Sequence, residues 1–498
     1  MEITFSKIKK WALIYVTLPL FIFFLGFVKP IFSIPVFLVL SVALYWAITD
    51  DNVYENKNNK ITISKKQLII FFFLFLLWTY FAGFNGFYYQ SGDWSCRNPI
   101  FHDLVLMDWP VVYENNSALV YYIGFWLPAA AVTKIIGLFG VSSSALWIIA
   151  KQLFWLWGAI GVYLIFLLLC IYQNAMKTKE RIIVFLIFVF FSGLDILGML
   201  TLGTGWYISG AIHIEWWSLI YQYSSITTCL FWVFNQSVIP WLVVILFLFE
   251  KSPKNFLLLG MACFASGPLP FVGLVICMLL RGIEQLIEAI KKKQVKPFLK
   301  NTFSISNILV LLTVFPILAS YFLSNTSVST GTNTGNNPLF DSFIEYIKDP
   351  IFVFFFFFEV AIYALLVWKE HKRDLMYYGI IASLVVIPYF YVGSASDFCM
   401  RASIPALFIL MIYCAQMILN RIVTQNKKDL CAYILALALL VGAVTPAYEF
   451  YRGFYMVATN KTILLEDDRY DSVGDMESAN NFTTSDYGNK IFFKYFSN

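Results

Sequence analysis

The stretch "LFWLWGAIGVYLIFLLLCI", Leu153–Ile171, runs for nineteen residues without a charge. A helix needs roughly twenty apolar residues to cross a bilayer. The runs Leu68–Tyr80 and Ile182–Phe191 are similarly apolar, and of all 498 residues 60% are hydrophobic and only 13% charged. Soluble domains carry about a quarter charged residues. The chain is therefore predicted to be an all-α polytopic membrane protein with about eleven transmembrane helices, or about thirteen if segment 255–281 crosses twice.

Lysine and arginine are concentrated in short polar segments between the apolar runs, at 5–10, 56–66, 177–181, 250–254, 291–296, 369–374 and 421–428. Loops of this kind lie mostly on the cytoplasmic side of a membrane. We therefore predict a cytoplasmic N-terminus. The low-GC flavour of the composition favours a bacterial plasma membrane. The net charge of +5 reflects these basic loops. The sequence shows no basic surface interleaved with aromatic residues, so no nucleic-acid partner is predicted.

Three parts are predicted along the chain: an N-terminal helical hairpin at 1–66, a transmembrane catalytic module at 67–447 with an outer loop at 87–144, and a polar extracytoplasmic tail at 448–498. The first apolar stretch resembles a signal peptide, but it is long and a second apolar run follows at once, so we interpret it as a retained helix. The tail is polar enough to form only a small capping element, and loop Ser324–Asp341 is expected to be mobile.

Two apolar segments have an ambiguous relation to the membrane. If Ala118–Gly140 crossed, every later basic loop would be inverted, so it is predicted to lie along the outer surface as an amphipathic helix. The motif "ASGPLP", Ala265–Pro270, divides segment 255–281 into two short halves. That division is typical of a re-entrant or short helical hairpin, and whether the segment crosses stays open.

Ionisable residues at membrane depth are costly and are therefore candidates for function. On the predicted topology most of them fall at the outer face. The candidates are Asp93, Arg97, His102, Asp103, Asp195, His213, Glu215, Asp397 and Arg401.

Asp93 is the candidate general base. It follows the helix predicted to end near Phe84 and is flanked by Gly92 and Trp94. At a membrane boundary a carboxylate is partly desolvated, and desolvation raises its basicity. A plain turn aspartate would give the same pattern, and the sequence leaves both interpretations open.

Arg97 and Arg401 are candidate phosphate ligands because a guanidinium group binds phosphate with two parallel hydrogen bonds. Asp397 lies four residues before Arg401, so a simple salt bridge is the alternative for that arginine. Aromatic residues around His213 and Glu215 suit a sugar face, although an interfacial aromatic belt gives the same composition.

Metal and disulfide chemistry are only weakly indicated. His102 and Asp103 are adjacent, and no third ligand follows at helical spacing. No cofactor is predicted, and a divalent metal stays open. Cys96 and Cys399 are the two cysteines predicted in outer loops, so a disulfide between them is an open alternative.

The order of these features resembles the GT-C superfamily of glycosyltransferases that use polyprenyl-phosphate sugars. A helix ends in "GDW", Gly92–Trp94, an acidic outer loop follows, and then comes "DWPVVYENNSALVYYIGFWLPAAAVTKIIG", Asp108–Gly137. The resemblance implies that Asp93 is the catalytic aspartate, that Trp109-Pro110 is the aromatic-proline element, and that Ala118–Gly140 is the second juxtamembrane helix.

The resemblance further implies transfer of a sugar from a polyprenyl-phosphate donor to a saccharide or glycolipid acceptor, such as a cell-wall polysaccharide or teichoic acid, at the outer face of the membrane. Asp93 would deprotonate the acceptor, while Arg401 or Arg97, with His213, would hold the leaving phosphate. The alternatives are a transporter or flippase of lipid-linked saccharides, a polysaccharide polymerase, and a non-catalytic assembly subunit.

Overall fold

The computed structural model describes residues 1–50, 59–202, 213–325, 330–332, 342–392, 396–424, 429–460, 470–476 and 479–498. The structure is 77% helical and contains almost no sheet, which confirms the all-α polytopic membrane class. By length and composition, nine helices of the described chain can cross a membrane, or ten if one bent pair counts as a single span. This count is lower than the eleven to thirteen expected.

The first half of the chain forms α1 (Phe5–Phe27), α2 (Pro30–Thr49), α3 (Lys65–Phe81), α4 (Trp94–Leu106), α5 (Leu127–Gly137), α6 (Ser143–Tyr172), α7 (Thr178–Phe190), α8 (Asp195–Leu202), α9 (Ile226–Val233) and α10 (Val238–Phe249). A 3-10 turn, Phe234–Gln236, continues α9, and the axis then bends by 100° into α10.

The second half forms α11 (Phe256–Ser266), α12 (Pro268–Lys291), α13 (Val295–Thr302), α14 (Ile305–Phe322), α15 (Phe343–Lys348), α16 (Pro350–Phe356), α17 (Ile362–His371), α18 (Leu375–Val386), α19 (Asp397–Ala402), α20 (Ile404–Ile418), α21 (Leu430–Gly442) and α22 (Val444–Asn460). A π-helical turn, Phe357–Ala361, joins α16 to α17.

Three small antiparallel pairs tie distant segments together. Strand β1 (Glu2–Thr4) pairs with β2 (Lys60–Thr62), β3 (Ser117–Leu119) with β6 (Thr483–Ser485), and β4 (Thr330–Thr332) with β5 (Phe390–Val392). The β3–β6 pair, in register Ala118↔Thr484, brings the C-terminal segment onto the large loop after α3.

Glycine and proline explain why several apolar runs are shorter than a full span. α3 has 17 residues, and the turn after it contains Gly83 at φ +85° and Gly86 at φ +69°, a backbone region that glycine adopts at little cost. Gly267 separates α11 from α12, and Pro268, which lacks an N–H, begins the second helix. α11 has 11 residues and α12 has 24, so segment 255–281 forms one short arm and one long arm.

The segment 118–140 does not form the single surface helix that was expected. Only its second half is helical, as the 11 residues of α5, which span about 16 Å and cannot cross a bilayer about 30 Å thick. Leu127, Ala130 and Thr133 are buried in the bundle, whereas Leu138 is 84% exposed. The first half begins extended because Ser117–Leu119 pairs with β6, and it then forms only a 3-10 turn at Ile123–Phe125.

The described residues of the basic segments meet at one end of the bundle, which we call the basic end. Arg181 Nη1 donates to the Thr62 carbonyl over 3.2 Å, and Arg421 Nε lies 2.7 Å from Glu370 Oε1. Lys9 Nζ lies 3.6 Å from the Glu250 carboxylate at the start of α1 and the end of α10. The Met376 amide donates to Glu284 over 3.1 Å, joining α18 to α12. The basic segments predicted to share one side of the membrane therefore lie at one end of the bundle where they are described. The orientation of this end in a membrane stays a prediction.

The N-terminal helix belongs to the central core. The Tyr15 ring of α1 stacks on Trp157 of α6 with ring centroids 3.7 Å apart, and its hydroxyl donates to the Trp157 carbonyl over 2.9 Å. Every residue of α10 is buried beside them. The hairpin predicted at 1–66 is thus packed into the same helix bundle as the module that follows it.

The last part of the chain returns to the end opposite the basic segments. α22 crosses the predicted boundary at residue 448 and continues to Asn460. Beyond it, the Asn498 side chain donates to the Gly26 carbonyl over 3.2 Å, next to the end of α1. The described tail therefore covers the bundle, in keeping with a small capping element.

Candidate functional site

A cavity of about 270 Å³ opens at the end of the bundle opposite the basic segments. We call it the Asp93 cavity. Its walls come from five separated parts of the chain: Asp93, Cys96, Arg97, Tyr121, Tyr122, Leu269, Val392, Asp397, Arg401, Asn481 and Phe482. Four of the nine predicted site residues, two aspartates and two arginines, therefore meet in one place.

Asp93 and Arg97 form the first charged pair of the cavity. Asp93 precedes α4 but its side chain caps no helix N–H. Instead its Oδ2 lies 2.6 Å from Arg97 Nη2, one helical turn further on, which is the spacing at which side chains on one face meet. The Asp93 side chain is 42% exposed and that of Arg97 only 4%. The carboxylate therefore reaches the open cavity and the guanidinium forms its wall.

Arg97 is held from behind by the turn after α9. Its Nη1 donates to Asn235 Oδ1 over 2.7 Å, and its guanidinium lies 5.4 Å from the centre of the Phe234 ring. Within the described chain, the buried Arg97 Nε has no hydrogen-bond partner. Buried N–H groups are nearly always satisfied, so this donor is available for a ligand.

Asp397 and Arg401 repeat the arrangement on the far wall. Asp397 begins α19, and its Oδ1 lies 2.5 Å from Arg401 Nη1, again four residues along a helix. The Asp397 side chain is 37% exposed. Although burial lowers the pKa of the Arg401 guanidinium, the charge of Asp397 raises it above its ordinary value, so this arginine stays charged. Its Nε is also buried, and no described residue accepts from it.

Two adjacent tyrosines lie between the charged pairs. The Tyr121 and Tyr122 rings stack with centroids 4.5 Å apart. Burial raises the pKa of Tyr121, and it raises the pKa of Tyr122 to about 12, so both phenols are neutral hydrogen-bond donors near neutral pH. From the sequence, these residues fit the amphipathic surface helix predicted at 118–140, and nothing local links them to Asp93.

The C-terminal segment completes the wall. The Val120 amide donates to the Phe482 carbonyl over 2.8 Å, and the Phe482 ring meets the Tyr121 ring edge-on at 5.0 Å. Asn481 beside it also lines the cavity. No sequence signal pointed to these two residues, since their role depends on the long-range pairing of β6 with β3.

Asp103 and His102 do not line the Asp93 cavity. Asp103 is buried and its Oδ2 accepts from the Tyr113 hydroxyl over 2.8 Å and from the Val473 amide over 3.0 Å. Burial raises the pKa of its carboxyl. His102 meets the Trp147 ring edge-on at 5.1 Å. Asp103 therefore joins the outer loop to the C-terminal segment, which is a structural task.

The remaining predicted residues, Asp195, His213 and Glu215, lie in a second group together with Glu359 and Glu449. We call it the buried acidic cluster, and all five side chains are nearly inaccessible. Trp217 Nε1 donates to Asp195 Oδ1 and to Glu359 Oε1, over 3.3 Å each. Asp195 Oδ2 also accepts from Ser192 and Thr445, over 2.9 Å each.

His213 lies between two carboxylates of this cluster. Its Nε2 is 3.9 Å from Glu215 Oε2 and its Nδ1 is 3.7 Å from Glu449 Oε1. Burial lowers the pKa of His213. Burial and the nearby Asp195 raise the pKa of Glu215 to about 8. Glu449 is paired with Arg452 Nη1 at 3.1 Å.

A short helix connects the two groups. At the start of α9, the Ser225 amide donates to Glu215 over 2.9 Å. At its end, the Phe231 carbonyl accepts from Trp94 Nε1 over 3.2 Å, and Asn235 beyond it accepts from Arg97. Asp195, His213 and Glu215 thus support the cavity from behind and do not line it.

Neither a metal ligand set nor a disulfide is found in the described residues. No group of three or more His, Cys, Asp or Glu side chains there could hold a metal ion. Cys96 and Cys399 are not bonded to each other, and the Cys399 thiol lies 3.4 Å from the Gln222 carbonyl, which accepts from it.

Comparison with known proteins gives no relative: no family model, no curated protein and no solved structure matches the chain. The resemblance to the GT-C superfamily stays a prediction.

Proposed function

We propose that the protein is a membrane glycosyltransferase that moves a sugar from a polyprenyl-phosphate donor to a saccharide or glycolipid acceptor. The observation that carries this proposal is the meeting of Asp93, Arg97, Asp397 and Arg401 in one cavity at the end of a membrane helix bundle. Such a cavity offers carboxylates that can accept a proton and guanidinium groups that can hold a phosphate.

The arginines suit the leaving phosphate. Arg97 and Arg401 are each buried, and the Nε of each lacks an acceptor among the described residues. A phosphate oxygen would satisfy these N–H groups, and charge-assisted hydrogen bonds of this kind contribute about 1.5–3 kcal/mol each. They would stabilise the charge that develops as the polyprenyl phosphate departs.

The exposed carboxylates suit the acceptor. Asp93 takes a proton from an acceptor hydroxyl, the hydroxyl oxygen bonds to the anomeric carbon, and the bond from that carbon to the phosphate oxygen breaks with its electron pair on the phosphate. A phosphate that competes for Arg97 would weaken its pair with Asp93 and free the carboxylate to accept a hydrogen bond from the acceptor hydroxyl as the donor binds.

Other features of the cavity fit a lipid-linked sugar. The stacked Tyr121 and Tyr122 rings provide an apolar surface with two hydroxyl donors, which matches the mixed surface of a sugar. A lipid donor reaches the cavity through the membrane, so no phosphate loop for a soluble nucleotide is required. By the distribution of basic loops we assign the cavity to the extracytoplasmic face of a bacterial plasma membrane.

A second candidate, a transporter or flippase of lipid-linked saccharides, is favoured by two observations. Asp195 and Glu359 lie within apolar helices and share the Trp217 donor, and α9 and α10 form a helix bent by 100°. Buried carboxyl groups and broken helices are typical of proton-coupled transporters.

One experiment separates the two functions. Purified protein in liposomes is given a radiolabelled polyprenyl-phosphate sugar and a membrane extract as the source of acceptor. A transferase moves label into a new product, whereas a flippase moves the unchanged donor between leaflets. Transfer that depends on the protein supports the proposal. Leaflet exchange without a new product would favour the transporter. If neither transfer nor leaflet exchange occurred, both proposed functions would be refuted.

A further inference from the structure

An apolar groove of about 430 Å³ lies between the short and long arms of the α11–α12 hairpin. Leu257 and Gly260 of α11 and Val275, Met278 and Gly282 of α12 line it, and α13 closes it near the basic end. A Cβ placed on Gly282 would meet no atom within 4 Å, so the groove is open at this point.

A polar pocket of about 400 Å³ adjoins the groove at the basic end. Pro253 and Phe298 line both, so the two spaces are direct neighbours. The polar part is lined by Lys251, Ser252, Gln285, Glu288, Lys292 and Asn301. Glu288 pairs with Lys292 at 2.6 Å, so these two charges offset each other. The charge of Lys251 then gives the lining a net positive charge.

Two buried polar atoms in this pocket have no partner among the described residues: Ser252 Oγ and Gln285 Oε1. Both residues are 6% exposed. Buried polar groups are rarely left unsatisfied in folded proteins. Ser252 offers a hydroxyl donor and Gln285 a carbonyl acceptor, so the pocket is complementary to a ligand that carries both an acceptor and a hydroxyl group.

We propose that the groove and the pocket together bind one phospholipid whose headgroup is anionic and hydroxylated. An acyl chain lies in the groove, the phosphodiester faces Lys251 and Ser252, and a headgroup hydroxyl donates to Gln285. The basic end carries the lysine-rich loops, which attract anionic lipids near a membrane surface. Leu279 of α12 lines the groove and is 62% exposed, so the groove is within reach of membrane lipid.

This lipid site lies at the opposite end of the hairpin from the Asp93 cavity, whose wall contains Leu269 at the start of α12. It does not depend on the proposed glycosyl transfer. A bound lipid would hold the two arms of the hairpin together, so its first effect is on stability.

The test uses the delipidated full-length protein in detergent, with dioleoyl phosphatidylglycerol, dioleoyl phosphatidylcholine and glycerol phosphate as probes. Native mass spectrometry counts bound lipid, and a thermal melt measures stabilisation. We expect one phosphatidylglycerol per chain and a higher Tm, weaker binding of phosphatidylcholine and no effect of glycerol phosphate. Gly282→Phe fills the groove, and Lys251→Gln removes the charge, and each is expected to weaken phosphatidylglycerol binding about tenfold.

Matched controls are Leu312→Phe, at a 67% exposed position of α14, and Lys369→Gln, at an exposed basic position that does not line the pocket. Unchanged binding in both Gly282→Phe and Lys251→Gln would overturn the proposal. An equal effect of glycerol phosphate would show a plain phosphate pocket, and equal binding of phosphatidylcholine would show unspecific lipid, and either result would also overturn it.

Discussion

Arg97 Nη2 lies 2.6 Å from Asp93 Oδ2 across one turn at the start of α4. The exposed partner of the pair is the carboxylate, and the buried one is the guanidinium. The same relation recurs between Asp397 and Arg401 on the opposite wall. The cavity is thus built from two matched pairs, each with its carboxylate toward the cavity and its guanidinium group fixed in the wall.

Loss of Arg401 is expected to weaken donor binding. Arg401→Gln removes a buried guanidinium that we propose contacts the donor phosphate, so the donor concentration for half-maximal transfer should rise about tenfold or more, by about 1.5–3 kcal/mol. Saturation curves with the labelled donor check this result. Arg373→Gln, at an exposed position of the basic end, is the control, and identical curves for both variants would remove Arg401 from the site.

Asp103 is expected to act on stability through the C-terminal segment. Asp103→Ala leaves the buried Tyr113 hydroxyl and the Val473 amide without their acceptor, which costs about 1–3 kcal/mol for each group. The Tm should fall, and limited proteolysis should cleave the chain after residue 470 more quickly. Asp108→Ala, at an exposed position of the same loop, should change neither. A full Tm and an uncleaved tail in Asp103→Ala would contradict the structural role.

Glu215 is expected to make the protein less stable as the pH rises. The pKa of its carboxyl is raised to about 8 in the folded chain, chiefly by burial and then by Asp195. The folded state therefore binds a proton that the unfolded state has already lost, and the free energy of unfolding decreases with pH up to about 8. The pKa of His213 is lowered, so this residue reduces the free energy of unfolding only when the pH falls below its ordinary pKa of about 6.5. The effect of Glu215 is therefore best measured between about pH 6.5 and 8.5.

Thermal melts across this window measure the effect. The wild-type Tm should fall between pH 6.5 and 8.5, and Glu215→Gln, which keeps an acceptor for the Ser225 amide, should flatten the curve. A wild-type slope that persists in Glu215→Gln would assign the titration to another group.

The sequence predicted the parts that depend on local pattern. Apolar runs gave the membrane class, and the spacing of Asp397 and Arg401 within one turn gave their pairing. Asp93 is a candidate because it follows a predicted helix end, and Arg97 is one because a guanidinium group binds phosphate. Their meeting with Asp397 across the cavity was expected only from the shared face of the topology.

The parts that the sequence could not supply depend on long-range contacts. In the sequence, Asp103 lies in the same acidic loop as Asp93, so the local pattern does not distinguish a structural residue from a binding residue. Its structural role is evident only from the hydrogen bond that it accepts from the Val473 amide. Phe482 enters the cavity wall through a strand pair with the outer loop. The helix at 118–140 was overestimated in length because a segment that pairs as a strand has the apolar character of a helix face.

The most direct test of the central claim is sugar transfer by purified Asp93→Asn, compared with wild type and with Asp108→Asn, at equal amounts of folded protein in liposomes. The substitution keeps the shape of the side chain but removes the proton acceptor. The account predicts that label moves from the polyprenyl-phosphate donor to the acceptor with wild type and Asp108→Asn, and that Asp93→Asn loses transfer while its helicity and Tm are retained. Transfer by Asp93→Asn at the wild-type rate would contradict it.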